Sequence, residues 1–96
     1  MDKTQMKEMV DELYQILLKL ETKEDCRILL EDLCTIKEVE QMAQRVRAAQ
    51  LLSEGNTYVE VIEKTDISSA TLSRVSRCLQ YGEGYKKFIV PSTNNK

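Results

Sequence analysis

Between Ser68 and Arg77 the chain reads Ser-Ser-Ala-Thr-Leu-Ser-Arg-Val-Ser-Arg, which gathers hydroxyl groups and two guanidinium groups within three helical turns. If the stretch is a helix, Leu72, Val75 and Leu79 fall on one face, at offsets of three and four. Ser69, Ala70, Thr71, Ser73, Arg74 and Arg77 then occupy the other. Small side chains let a helix approach a surface closely. Hydroxyls reach phosphates or base edges, and arginine forms a two-pronged bond to guanine. The chemistry these residue types support is recognition of double-stranded DNA by a helix in the major groove.

The elements that must hold this face can be read from its flanks. Thr57 and Glu60 have the spacing of a capping box, so a helix is expected from Tyr58. Val59, Ile62 and the later Ile67 are expected to form its apolar side. Thr65-Asp66 interrupts it, because short polar side chains bond back to their own backbone. Ser68 is placed to cap the second helix. Two short helices joined by a tight turn form a helix-turn-helix. Two positions depart from its commonest pattern. Ile62 stands where a small residue usually lets the helices cross, and Asp66 stands where glycine usually makes the turn, although Asp tolerates a left-handed conformation better than most residues.

Roles can be assigned by side-chain type. Ser69, Ala70, Thr71 and Ser73 are the candidates for base edges. Arg74 and Arg77 are suited to a guanine or a phosphate. Thr57, Lys64 and Ser68 are phosphate candidates, which set register without reading sequence. Lys86 and Lys87 reach the backbone if the last segment lies near the duplex.

Composition narrows the class. The 96 residues carry 14 Lys/Arg against 16 Asp/Glu, a net charge of −2, which argues against a general nucleic-acid coat. Residues 1–44 hold 6 basic and 11 acidic side chains, and residues 45–96 hold 8 and 5. An acidic front half and a mildly basic back half fit a scaffold followed by a DNA-facing part. With no His, no C-x-x-C pair and three widely spaced cysteines, Cys26, Cys34 and Cys78, the usual zinc sets are missing and no metal is expected. Free, mostly buried thiols and a cytoplasmic location are the expectation. No apolar run approaches the roughly 20 residues a membrane span needs. Without a paired nucleophile and base or a glycine-rich phosphate loop, the chain is not expected to be an enzyme.

Helical periodicity organises the rest as one all-α domain over 1–90. A first amphipathic helix over 1–20 presents Met6, Met9, Val10, Leu13, Ile16, Leu17 and Leu20. Thr22 caps a second over about 23–33, with Cys26, Leu29, Leu30 and Leu33 inward. Thr35 and Glu38 have capping-box spacing and open a third, which runs to about Ser53 and closes at Gly55. Its apolar positions are Ile36, Val39, Met42, Ala43, Val46, Ala49 and Leu52. Residues 83–90 are expected to add a last turn or short helix, stopped by Pro91, with a disordered tail over 91–96. A monomer of this size would leave much of the first or third helix uncovered, so residues 1–53 are expected to dimerise and 57–80 to form the reading head.

With these blocks in hand the chain resembles the Trp repressor family, and within it the Gram-positive branch of Trp-repressor-like proteins (the YerC/YecD type). The resemblance rests on Asp32-Leu33-Cys34-Thr35-Ile36-Lys37-Glu38, on Ala43-Gln44-Arg45-Val46-Arg47 and on Glu54-Gly55-Asn56-Thr57-Tyr58. Ser69 to Leu79 and Tyr81-Gly82 complete it. It implies an intertwined homodimer with two projecting reading heads. It also implies a transcriptional regulator, most simply a repressor, on a two-fold operator. Carried over by position, the family's effector pocket falls on Thr35, Arg45, Arg74, Val75 and Cys78. Val75 stands where that pocket has glycine and Cys78 where it has serine, a better acceptor than a thiol. Tryptophan is therefore not expected as corepressor, and no other cofactor is implied. The alternative is a dimeric helical interaction module without DNA readout.

Overall fold

The computed structural model describes residues 1–90. These form six helices, α1 (Lys3–Leu17), α2 (Lys23–Leu33), α3 (Ile36–Ser53), α4 (Tyr58–Thr65), α5 (Ser69–Tyr81) and α6 (Gly84–Phe88). They fall into two compact units that divide between Thr35 and Ile36.

The first unit holds α1 and α2. A capping box starts α1: the Asp2 carboxylate accepts from the Gln5 amide at 2.8 Å, and the Asp2 amide donates to the Gln5 side chain at 3.3 Å. The sequence reading does not anticipate this cap. The helix stops at Leu17, three residues short of the expected end, where Lys19 and Leu20 donate three residues back and the last turn tightens. No residue of α1 is buried. Its apolar stripe of Met6, Met9, Val10, Leu13, Ile16 and Leu17 is 37–49% exposed along its length.

Thr22 caps α2 through the Asp25 amide at 3.0 Å, as expected. Arg27 sits between Glu24 and Glu31 on the exposed face and bonds both, reaching Glu31 at 3.0 Å. That pairing lowers the Glu24 carboxyl below its ordinary value of 4.5 and raises the Arg27 guanidinium. Cys26, Leu29 and Leu30 are half-buried, whereas Leu33, expected inward, is 53% exposed.

The second unit contains the core. Ala48, Ala49, Val61, Ile67, Leu72 and Val75 are buried together, flanked by Leu51, Leu52, Ile62, Leu79, Tyr85 and Ile89. The two alanines of α3 present almost no side chain. This lets α4 and α5 both pack closely against one helix. Gly55 ends α3 at φ +95°, with its amide bonded to Leu52 and the Asn56 amide bonded to Leu51. This is the Schellman arrangement, which satisfies the last carbonyls of a helix and favours glycine at the left-handed position. The N-terminal half of α3 is far less covered. Ile36 is 77% and Val46 39% exposed, while Val39 and Met42 are half-buried.

Two expectations are corrected here. Val59 is 65% exposed and Val61 is fully buried, so the inward line of α4 runs through Val61, Ile62 and Thr65 rather than through Val59. Ala48, absent from the expected apolar positions, is fully buried beside Ala49. The three cysteines carry free thiols that are half-buried. Among the described residues no helix is long and apolar enough to cross a membrane, and no group of His, Cys, Asp or Glu is arranged to hold a metal ion. The expected stop at Pro91 and the tail over 91–96 lie outside the described residues.

Candidate nucleic-acid interface

Each half of the α4–α5 pair is fixed by its own cap. The Thr57 hydroxyl accepts from the Glu60 amide at 3.2 Å, and the Thr57 amide donates to the Glu60 carboxylate at 2.7 Å. That bond holds the Glu60 carboxyl below its ordinary value of 4.5. At the start of α5 the Ser68 hydroxyl accepts from the Thr71 amide at 3.1 Å.

The turn between them is tight and is held by several hydrogen bonds. Asp66 adopts φ 62°, ψ 20°, and its amide donates to Ile62 at 2.8 Å. Among the described residues it is the only non-glycine at positive φ. The Thr65 hydroxyl donates to the Val61 carbonyl at 2.7 Å and accepts from the Ile67 amide at 3.3 Å. Gln44 on α3 donates to the Thr65 carbonyl at 3.2 Å, which ties the turn back to the supporting helix. Ile67 is buried just beyond and anchors the chain into the core.

On α5, Leu72 and Val75 are fully buried with Leu79 packed beside them, as the spacing predicts. Ser69, Ala70, Ser73, Arg74 and Arg77 are exposed together on the outward side. Thr71, a candidate for a base edge, has different surroundings. It is half-buried and accepts from the Ser68 hydroxyl at 2.9 Å, so part of its bonding capacity is spent on the helix cap. Thr57, Ser68 and Lys64 are exposed. Lys64 lies in the last turn of α4, where its ammonium donates to the Asn56 side-chain oxygen at 3.0 Å. The Asn56 side chain in turn donates to the Leu51 carbonyl at 3.0 Å. Sequence reasoning assigns Asn56 no role. The visible signal is its place between the helix-ending Gly55 and the cap Thr57.

The profile of the Trp repressor protein family matches residues 8–92, nearly the whole chain. The chain belongs to the Trp repressor family. It is 47% identical over 81 residues to the uncharacterized protein YerC of Bacillus subtilis (strain 168), which covers 84% of this chain and 77% of that protein. A crystal structure of a Trp repressor candidate from Staphylococcus aureus superposes with a TM-score of 0.79 at 37% identity, covering 84% of this chain and 81% of that one. A TrpR-like protein from Eubacterium eligens ATCC 27750 gives 0.80 at 41% identity, covering 83% and 84%. Trp repressor family members are DNA-binding regulators and not enzymes. The all-helical architecture and its helix-turn-helix agree with that membership.

Set against the family, the five positions of the expected effector pocket have different surroundings. Arg74 and Cys78 line a shallow hollow of about 340 Å³ together with Arg77, Tyr81 and Gly82. Val75 is fully buried in the core, and Arg45 is half-buried on α3. Thr35 is exposed at the end of the first unit.

Proposed function

We propose that this chain is a cytoplasmic transcriptional repressor that binds a two-fold operator as a homodimer, with α5 as its recognition helix. The observation that carries the reading is the two-sidedness of α5. One side is buried in the core through Leu72 and Val75, and the other offers Ser69, Ala70, Ser73, Arg74 and Arg77 to solvent. A rigid helix presenting small, hydroxyl and guanidinium side chains suits insertion into the major groove. Membership in a family of DNA-binding regulators supports it.

The dimer part of this reading is supported by α1. A helix that buries none of its residues while carrying six apolar side chains in a stripe needs a cover. A second copy using α1 to α3 supplies one. Tryptophan is not the corepressor in this reading, because the branched Val75 side chain stands at the pocket's glycine position.

A gel shift on genomic fragments at graded salt tests the DNA reading. Retarded fragments that compete out specifically support it. Uniform failure to bind would leave a helical interaction module, for which the exposed Val59 and the acidic total are the best support. Light scattering at micromolar concentration tests the dimer, and a thermal-shift titration with tryptophan tests the pocket.

A further inference from the structure

The outward side of α5 continues past the residues that suit base contact. Ala70, Arg74, Arg77 and Tyr81 follow one another at offsets of four, three and four, which places them on one stripe of the helix. Tyr81 ends that stripe with 83% of its surface exposed, although aromatic side chains are scarce in this chain. It lies between two shallow hollows and lines both. One also contains Arg74 and Arg77, and the other Glu83, Lys86 and Lys87. The surface from Arg74 to Lys87 is therefore continuous, with four cations against the single carboxylate of Glu83.

The far end of this surface is held in place. Gly82 passes so close to the end of α5 that a Cβ there would stand 2.8 Å from the Cys78 carbonyl oxygen, so only glycine fits. Lys86 donates to the Gln80 carbonyl at 3.0 Å and clamps α6 to the last turn of α5. Lys87 lies with its ammonium 5.2 Å from the centre of the exposed Phe88 ring.

We infer that Tyr81 and Lys87 carry the DNA-contacting surface beyond the recognition helix and onto the sugar–phosphate backbone outside each half-site. The inference rests on the DNA-regulator reading above. Eleven residues of helix separate Ala70 from Tyr81, about 16 Å at about 1.5 Å per residue. The major groove is only about 12 Å wide. When the first turns of α5 meet base edges, the Tyr81 end passes the groove wall, where phosphates stand. A phenolic hydroxyl donates to a phosphate oxygen, and an ammonium neutralises its charge. This gives the exposed tyrosine an occupant of matching chemistry, and it identifies Lys87, rather than the clamped Lys86, as the phosphate-binding lysine of α6.

The test uses the full chain and a duplex that it selects. A random 40-bp duplex library is enriched with the wild-type protein. The best duplex is then measured whole and trimmed to the base pairs whose substitution changes binding. The wild-type chain is expected to bind the whole duplex more tightly than the trimmed one, on the order of a hundredfold if one bond to a charged group is removed at each of the two half-sites. Tyr81→Ala and Lys87→Ala should each reduce that advantage while binding the trimmed duplex as the parent does. Tyr81→Phe, which keeps the ring and removes the hydroxyl, should behave like the alanine variant. Lys87→Ala should also lower the salt slope by about 0.9 for each phosphate released. Variants that keep the full advantage of the long duplex overturn the inference, as do variants that lose affinity for both duplexes equally. Enrichment of no duplex at all would overturn the DNA-regulator reading along with it.

Discussion

The Lys64 ammonium donates to the side-chain oxygen of Asn56 at 3.0 Å, and the Asn56 side chain donates to the Leu51 carbonyl at 3.0 Å. The end of α4 is thereby tied to the C-terminus of α3 through one asparagine. The geometry holds a positive charge beside the start of α4, close to the cap at Thr57. The Asn56 amide is neutral and adds no negative charge at the ammonium, and Glu60 one turn away also interacts with it electrostatically.

Lys64→Ala is expected to weaken binding to every duplex by a similar factor and to lower the salt slope by about 0.9 for each phosphate it no longer neutralises. Asn56→Ala should cost about 1–2 kcal/mol of stability, because it leaves the Leu51 carbonyl with one fewer donor and frees the lysine. Fluorescence anisotropy over a salt series and urea denaturation measure the two effects. A sequence-dependent loss in Lys64→Ala would mean that the lysine reads bases.

The two helices of the reading head were legible because their ends are marked by chemistry. Thr57 with Glu60 and Ser68 are caps whose residue types fix where a helix begins, and all three bond as their spacing predicts. The facing of α4 was not legible. Tyr58, Val59, Val61 and Ile62 are all apolar within a helix of eight residues, so periodicity alone allows more than one inward face. The choice of Val61 is made by packing against Ala48 and Ala49, a tertiary contact that no local pattern encodes. The same holds for Asn56, whose role depends on Leu51 and Lys64 meeting across a turn. On α5, Leu72 and Val75 stood out because polar residues flank each of them, leaving one possible face.

Asp66 gives a prediction about stability. A non-glycine residue in the left-handed region costs roughly 1–2 kcal/mol, less for Asp. Glycine removes that strain and loses about 0.5–1 kcal/mol through the freer unfolded chain. Asp66→Gly is therefore expected to be neutral or to stabilise by up to about 1 kcal/mol, and Asp66→Val to destabilise by more than about 1 kcal/mol. Thermal denaturation ranks the three proteins. A Val variant as stable as the parent would show that the turn relaxes out of the left-handed conformation.

Glu60 gives a prediction about pH. Its carboxyl is held below the ordinary value of 4.5 by the Thr57 amide and hydroxyl in the folded chain. Its contribution is therefore complete above 4.5 and lost as pH falls through the lower folded value. Glu60→Gln keeps an acceptor for the Thr57 amide and removes the titration. The melting temperature of the parent should drop more steeply than that of Glu60→Gln as pH falls below 4.5. Glu24, also lowered, is present in both proteins and cancels in the comparison. Parallel curves would mean that the Thr57 cap works equally well with a protonated partner.

The sharpest division of labour lies along α5 itself. Arg74 and Arg77 are exposed on its outward side, and neither is needed by the buried face that holds the helix in place. If either forms a forked bond to guanine, its replacement by alanine should cost on the order of 1–3 kcal/mol and relax one base position in each half-site. If it meets only phosphate, affinity should fall uniformly across sequences and the salt slope should shrink. Thr71→Ala should cost less DNA affinity than either arginine, because its hydroxyl already bonds Ser68, and should instead weaken the cap by about 1 kcal/mol or less. In a two-fold dimer the half-sites should lie about 34–36 Å apart or at a multiple of that distance, so base-position effects must appear in symmetric pairs. Circular dichroism confirms that each variant is folded, and selection from a random duplex library reads the specificity. Folded Arg74→Ala and Arg77→Ala proteins that select the parental sequence with parental affinity would exclude α5 as the recognition helix.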